Sequence, residues 1–111
     1  MAETTATPTI NLGRTIRIPL GQGRCYLVGS DEIAVFRQRD GRIFATKNRC
    51  PHQQGPLAEG VLGNGRIACP LHGHQFDLVT GAGSEPAECV RVCSVKEVAG
   101  DIVLSLNGNL S

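Results

Sequence analysis

Neither sign of charge prevails in this chain. Eleven Lys and Arg face ten Asp and Glu, a net charge of +1. A phosphate backbone is gripped by a basic excess, so its absence argues against a nucleic-acid partner. Long apolar runs are missing too. None approaches the roughly 20 residues of a membrane span, so no membrane partner is expected. The opening run Met1-Ala2-Glu3-Thr4-Thr5-Ala6-Thr7-Pro8 lacks the basic start and apolar stretch of a secretory signal. A cytoplasmic, reducing setting is the expectation. Tryptophan is absent, and Tyr26, Phe36, Phe44 and Phe76 are the only aromatics. Fourteen Gly and six Pro leave little room for long helices. An apolar share of 41% with 19% charged residues argues against wholesale disorder. The 111 residues suffice for one domain with a modest core. We expect an all-β domain over residues 10–107, with an N-terminal tail at 1–9 and a C-terminal tail at 108–111.

Short strands are the dominant signal. Thr15-Ile16-Arg17-Ile18-Pro19-Leu20 alternates, with Ile16, Ile18 and Leu20 on one face and Pro19 suggesting a sheet edge. Apolar runs follow at 24–29 and 32–37. Asp40-Gly41 marks a hairpin whose returning strand is 42–46, because Gly tolerates the positive φ of such a turn. Alternation then stops between Lys47 and Gly65. So long an irregular stretch in so small a domain points to function. Strands resume at 66–68, a short one fits 75–78, and 90–98 with 101–106 form a last hairpin around Gly100-Asp101. In that final strand Ile102, Leu104 and Leu106 share a face.

What the chain does have is cysteine. Five is an odd count, so a closed disulfide framework leaves one over. In a reducing setting cysteines more often bind metal or stay as buried thiols. Two of them form matched pairs with histidines: Cys50-Pro51-His52 and Cys69-Pro70-Leu71-His72, with the sixteen residues 53–68 between. Both pairs lie in Gly/Pro-rich irregular stretches. Chance does not readily yield two pairs that each hold one thiol and one imidazole. Structural zinc accepts two thiolates and two imidazoles, and a zinc-stabilised interaction module is one reading. Zinc pairs, however, are usually spaced by about two to four residues, and Cys50 and His52 by only one. A [2Fe-2S] cluster with two imidazoles on one iron explains the symmetry directly. Each stretch then spans the cluster, Cys to one iron and His to the other. The cysteines bind as thiolates and the histidines as neutral imidazoles.

The segment from Asn48 to Gly81, with Cys-Pro-His-Gln-Gln-Gly-Pro-Leu-Ala-Glu-Gly and Cys-Pro-Leu-His-Gly-His-Gln-Phe-Asp-Leu-Val-Thr-Gly, resembles Rieske-type proteins. The likeness extends over nearly residues 10–106. It implies stacked antiparallel sheets with two cluster-binding loops at one end. It implies one [2Fe-2S] cluster on Cys50, His52, Cys69 and His72, and single-electron transfer. Residues 33–37, 40–41, 50–52 and 55–60 look most like the small subunit of an NAD(P)H-dependent nitrite reductase. The alternative is the ferredoxin component of an aromatic-ring-hydroxylating dioxygenase system. The implied partners are redox proteins: an NAD(P)H-dependent flavoprotein reductase or a reductase large subunit, and a terminal acceptor. Rieske oxygenases add a mononuclear iron held by two histidines and a carboxylate. Only His74 is left over here, so the chain is not expected to be catalytic on its own.

Cys25, Cys89 and Cys93 fall in expected strands, where packing is their ordinary role. His74 reads as a surface or loop-packing imidazole, and Pro86 either as part of the loop with which the family covers its cluster or as an ordinary turn proline. Pro51, Gly55, Pro70 and Gly73 read as shaping the ligand stretches, and Asp77 and Glu59 either as backbone anchors or as simply solvated. The resemblance also bears on potential. Respiratory Rieske proteins carry a disulfide where this chain has Gly55 and Leu71. They carry Ser and Tyr hydroxyl donors where it has His74 and Phe76. With fewer donors to the sulfurs, the reduced cluster is less stabilised. We expect a potential near the low end of the Rieske range, about −150 mV, far from its upper end of about +300 mV. Redox titration of the holoprotein checks this, and a clearly positive potential would refute it.

Overall fold

The computed structural model describes residues 9–48, 56–70, 73–83 and 90–105. The expected all-β class is observed. Among the described residues ten strands form three antiparallel sheets, and the only helical turns are 3₁₀ turns at Thr15–Arg17 and Leu57–Glu59. The strands are β1 (Thr9–Arg14), β2 (Gln22–Val28), β3 (Asp31–Arg37), β4 (Ile43–Lys47), β5 (Val61–Gly63), β6 (Arg66–Ala68), β7 (Gln75–Asp77), β8 (Val92–Cys93), β9 (Val95–Val98) and β10 (Asp101–Ser105). They assemble in the orders β1-β10-β9, β2-β3-β4-β8 and β5-β6-β7.

The central sheet is covered on both faces. In β3 all four residues of Ile33-Ala34-Val35-Phe36 are fully buried. Successive side chains of a strand point to opposite faces, so such a run needs a layer on each side. Ile33 and Val35 join Val28, Ala45, Cys93, Ile102, Leu104 and Ile18 in one core, with Ile10 and Leu12 at its margin. Ala34 and Phe36 join Leu57, Ile67, Cys69, Phe76, Leu78 and Val90 in a second. Burying an aromatic side chain completely is worth about 1.5–3 kcal/mol. Phe36 and Phe76, both at 0% exposure, therefore anchor the second core.

Several strand expectations need correction. Thr15–Arg17 is a 3₁₀ turn, not a strand. The Ile18 N–H bonds back to Thr15 O at 3.0 Å, and the Thr15 N–H to Gly100 O at 2.9 Å. A three-residue period aligns i with i+3. Thr15 and Ile18 are accordingly buried, while Ile16 and Leu20 are 68% and 48% exposed. The first strand lies earlier, in β1, where a register shift between Asn11 and Gly13 interrupts the alternation. The single strand expected at 90–98 is two. β8 pairs with β4, β9 pairs with β10, and the chain changes sheets at Ser94. β5 lies inside the stretch read as irregular. It turns into β6 through Asn64-Gly65, both at positive φ (49° and 75°), a signal of a two-residue hairpin. Cys93 is buried as expected, but Cys25, on edge strand β2, is exposed. Burial pushes the Cys93 thiol pKa up. Leu106 and Cys89 lie outside the described residues.

The β9–β10 hairpin pairs Val98 with Asp101 around Ala99 and Gly100. Both turn residues have positive φ, 53° and 84°. For Ala this left-handed conformation is costly, whereas Asn tolerates it and Asn-Gly favours such turns. Replacing Ala99 with Asn should raise stability by about 0.5–1 kcal/mol. A higher urea midpoint by far-UV circular dichroism is the expected readout.

Candidate metal centre

Of the four expected ligands, Cys69 is described. Cys50, His52 and His72 lie outside the described residues, as do Pro51, Gly55, Leu71 and Pro86. Among the described residues no three His, Cys, Asp or Glu side chains gather into a metal-binding group.

Cys69 directly follows β6 and is 3% exposed, with a free thiol. It packs in the second core with Leu57, Ile67, Phe76 and Leu78. Two backbone bonds fold the chain back on it. Its N–H donates to His74 O (2.7 Å), and the Gly73 N–H donates to Cys69 O (2.9 Å). Gly73 sits at φ 74°, which glycine adopts without penalty. His74 is half-buried and supplies its carbonyl to this turn. Phe76 is wholly buried, and its ring offers no hydrogen-bond donor.

The flanks of the Cys50–His52 segment are brought to the same place. Asn48, 3% exposed, closes the end of β4. The Leu57 N–H donates to Asn48 O at 2.6 Å, and the Ala58 N–H to Asn48 Oδ1 at 2.9 Å. The outgoing chain then passes directly over β6. A Cβ added to Gly60 would lie 2.0 Å from Ala68 O, the carbonyl just before Cys69. Leu57 and Cys69 share one core, so the chain that resumes after residue 55 packs beside Cys69.

A third anchor lies beyond β7. Asp77 Oδ1 accepts from the Val79 and Thr80 N–H groups at 2.8 and 2.9 Å. The Thr80 bond, then the Val79 bond, hold its carboxyl below the usual carboxylate range. Gly81 donates to Asp77 O and accepts from the Val90 N–H, and a Cβ there would lie 2.1 Å from Val90 O. Asp77 is thus a backbone anchor, whereas Glu59 is exposed to solvent. Asn48, Gly60 and Gly81 escaped the reading of the sequence. Their partners lie on other elements, and no local spacing announces them.

The Rieske [2Fe-2S] domain family matches residues 11–101, and the chain belongs to that family. The anthranilate 1,2-dioxygenase ferredoxin subunit of Burkholderia cepacia is 32% identical over 108 residues, spanning 96% of this chain and 99% of that protein. The carbazole 1,9a-dioxygenase ferredoxin of Nocardioides aromaticivorans IC177 superposes with a TM-score of 0.79 at 28% identity, covering 89% of this chain and 97% of that one. A Mycobacterium tuberculosis protein described as an NADH-dependent nitrite reductase small subunit superposes at 0.83 with 20% identity, covering 90% and 96%, a likeness of fold. Other relatives are far longer, and the matched segment spans only 10–13% of their length. No helix among the described residues is long and apolar enough to cross a membrane.

A Rieske domain carries one [2Fe-2S] cluster and transfers single electrons. The donor chemistry present here fits that group: Cys69 is a buried, unbridged thiol at a tightly bonded turn. Close packing at Gly60 is the most exposed point of this construction to mutation. Gly60→Ala should cost about 1–3 kcal/mol of stability, because its methyl meets a backbone carbonyl that cannot swing aside. Chemical denaturation of the folded protein measures this loss.

Proposed function

We propose that the protein is a mobile one-electron carrier of the dioxygenase-ferredoxin type, working in the cytoplasm. In this reading Cys50 and Cys69 hold the cluster through thiolates, and His52 and His72 through neutral imidazoles. When bound, the cluster supplies a one-electron couple. The chain supplies ligation, burial and a docking surface. Leu57, Phe76 and Leu78 keep water from the Cys69 side. Phe76 brings no donor to stabilise added negative charge, which supports a low potential. A flavoprotein reductase is the donor and a terminal oxygenase the acceptor.

The observation that carries this reading is the identity to the anthranilate dioxygenase ferredoxin over almost the whole of both chains. The nitrite reductase small subunit is the second reading, supported by the resemblance of residues 33–37, 40–41, 50–52 and 55–60 to that subunit. The two differ in acceptor. Protein prepared without air should contain two irons and two acid-labile sulfides per chain. It should become paramagnetic on dithionite reduction, and Cys69→Ala should lose these signals. Reduced protein should sustain turnover by an aromatic-ring dioxygenase terminal component. Turnover only with a nitrite reductase large subunit would select the second reading. Colourless protein holding zinc would overturn both.

A further inference from the structure

Among the described residues Asn48 makes four hydrogen bonds from a buried position, two to Glu32 and two to the backbone of Leu57 and Ala58. Its N–H donates to Glu32 O at 2.9 Å, and its carbonyl accepts from the Leu57 N–H at 2.6 Å. Its side-chain Nδ2 donates to Glu32 Oε1 at 3.1 Å, and its Oδ1 accepts from the Ala58 N–H at 2.9 Å. Glu32 belongs to β3, the doubly buried strand. Leu57 and Ala58 begin the chain's return after the segment that carries Cys50 and His52.

We infer that Asn48 is a positioning residue for the cluster: it ties both flanks of residues 49–55 to Glu32 of the central sheet. This rests on the proposed ligand set. At 3% exposure little water competes for these bonds, so each one left unmade costs its full desolvation. The side chain must offer a donor to one partner and an acceptor to another at a fixed reach. Asp lacks the donor, and Ala lacks both. A residue outside the ligand set that fixes the backbone around two ligands sets how closely those ligands are held in binding geometry.

A merely structural role and a positioning role differ in what they disturb. The test uses the anaerobic holoprotein, challenged with a strong iron chelator and followed by cluster absorbance, alongside the urea midpoint. Val35→Ala serves as control, because Val35 lies in the other core. Asn48→Ala should release iron about tenfold faster than wild type, while Val35→Ala lowers the midpoint yet releases at nearly the wild-type rate. Asn48→Asp should also release fast, since an oxygen then faces the Glu32 carboxylate. Adding Glu32→Gln to Asn48→Asp exchanges donor and acceptor, and should bring the rate back toward wild type. If Asn48→Ala does not fold, the Asp variant and its double decide alone. The inference is overturned if Asn48→Ala releases no faster than Val35→Ala, or if the double variant is as fast as Asn48→Asp. Wild-type protein without iron and sulfide would instead refute the ligand reading itself. Wild-type protein that holds its cluster, with unaltered Asn48 variants, refutes only the role of Asn48.

Discussion

β3 imposes a demand that the other layers meet. Every side chain from Ile33 to Phe36 leaves water, alternately on one face and the other. A single covering sheet would leave half of them exposed. The β1-β10-β9 layer, with Ile18, covers one face, and β5-β6-β7, with the Leu57–Glu59 turn, covers the other. The second cover is also where Cys69 is seated. The contacts that complete the core around Phe36 are thus the contacts that seat Cys69, the proposed ligand.

The two covers are held by different physics. The β1-β10-β9 side rests on aliphatic packing, which is non-directional and tolerates small shifts. The other side is built from three-residue strands and tight turns, which bury little area each. There the placement comes from directional bonds and close backbone approach: Asn48 to Ala58, Asp77 to Val79 and Thr80, Gly60 against Ala68, Gly81 against Val90. Such contacts specify position within a few tenths of an ångström, as a metal centre requires.

Much of this was readable in advance. The continuous apolar run of β3, the Asp40-Gly41 turn and the Ile102/Leu104 face all announce themselves by local pattern. The Cys-x-His and Cys-x-x-His pairs pointed to the Rieske [2Fe-2S] domain family, which the match over residues 11–101 shows. The segment 15–20 misled. Its alternation was genuine, but Pro19 has no N–H and Thr15 bonds to Gly100, so a turn replaced the strand. Cys25 misled for another reason: an edge strand lacks a neighbour on one side, and composition does not reveal which strand is the edge. The Asn64-Gly65 hairpin was legible, and was masked by the glycines around it.

By itself the sequence determined the all-β class and the family, since these depend on residue type and short-range spacing. Only the tertiary structure decided that the chain changes sheets at Ser94, that Gly60 lies against Ala68 and that Asn48 joins Glu32 to Ala58. Those contacts link residues from eight to sixteen positions apart, or strands of different sheets. Their partners are chosen by how the layers stack, and no local pattern carries that information.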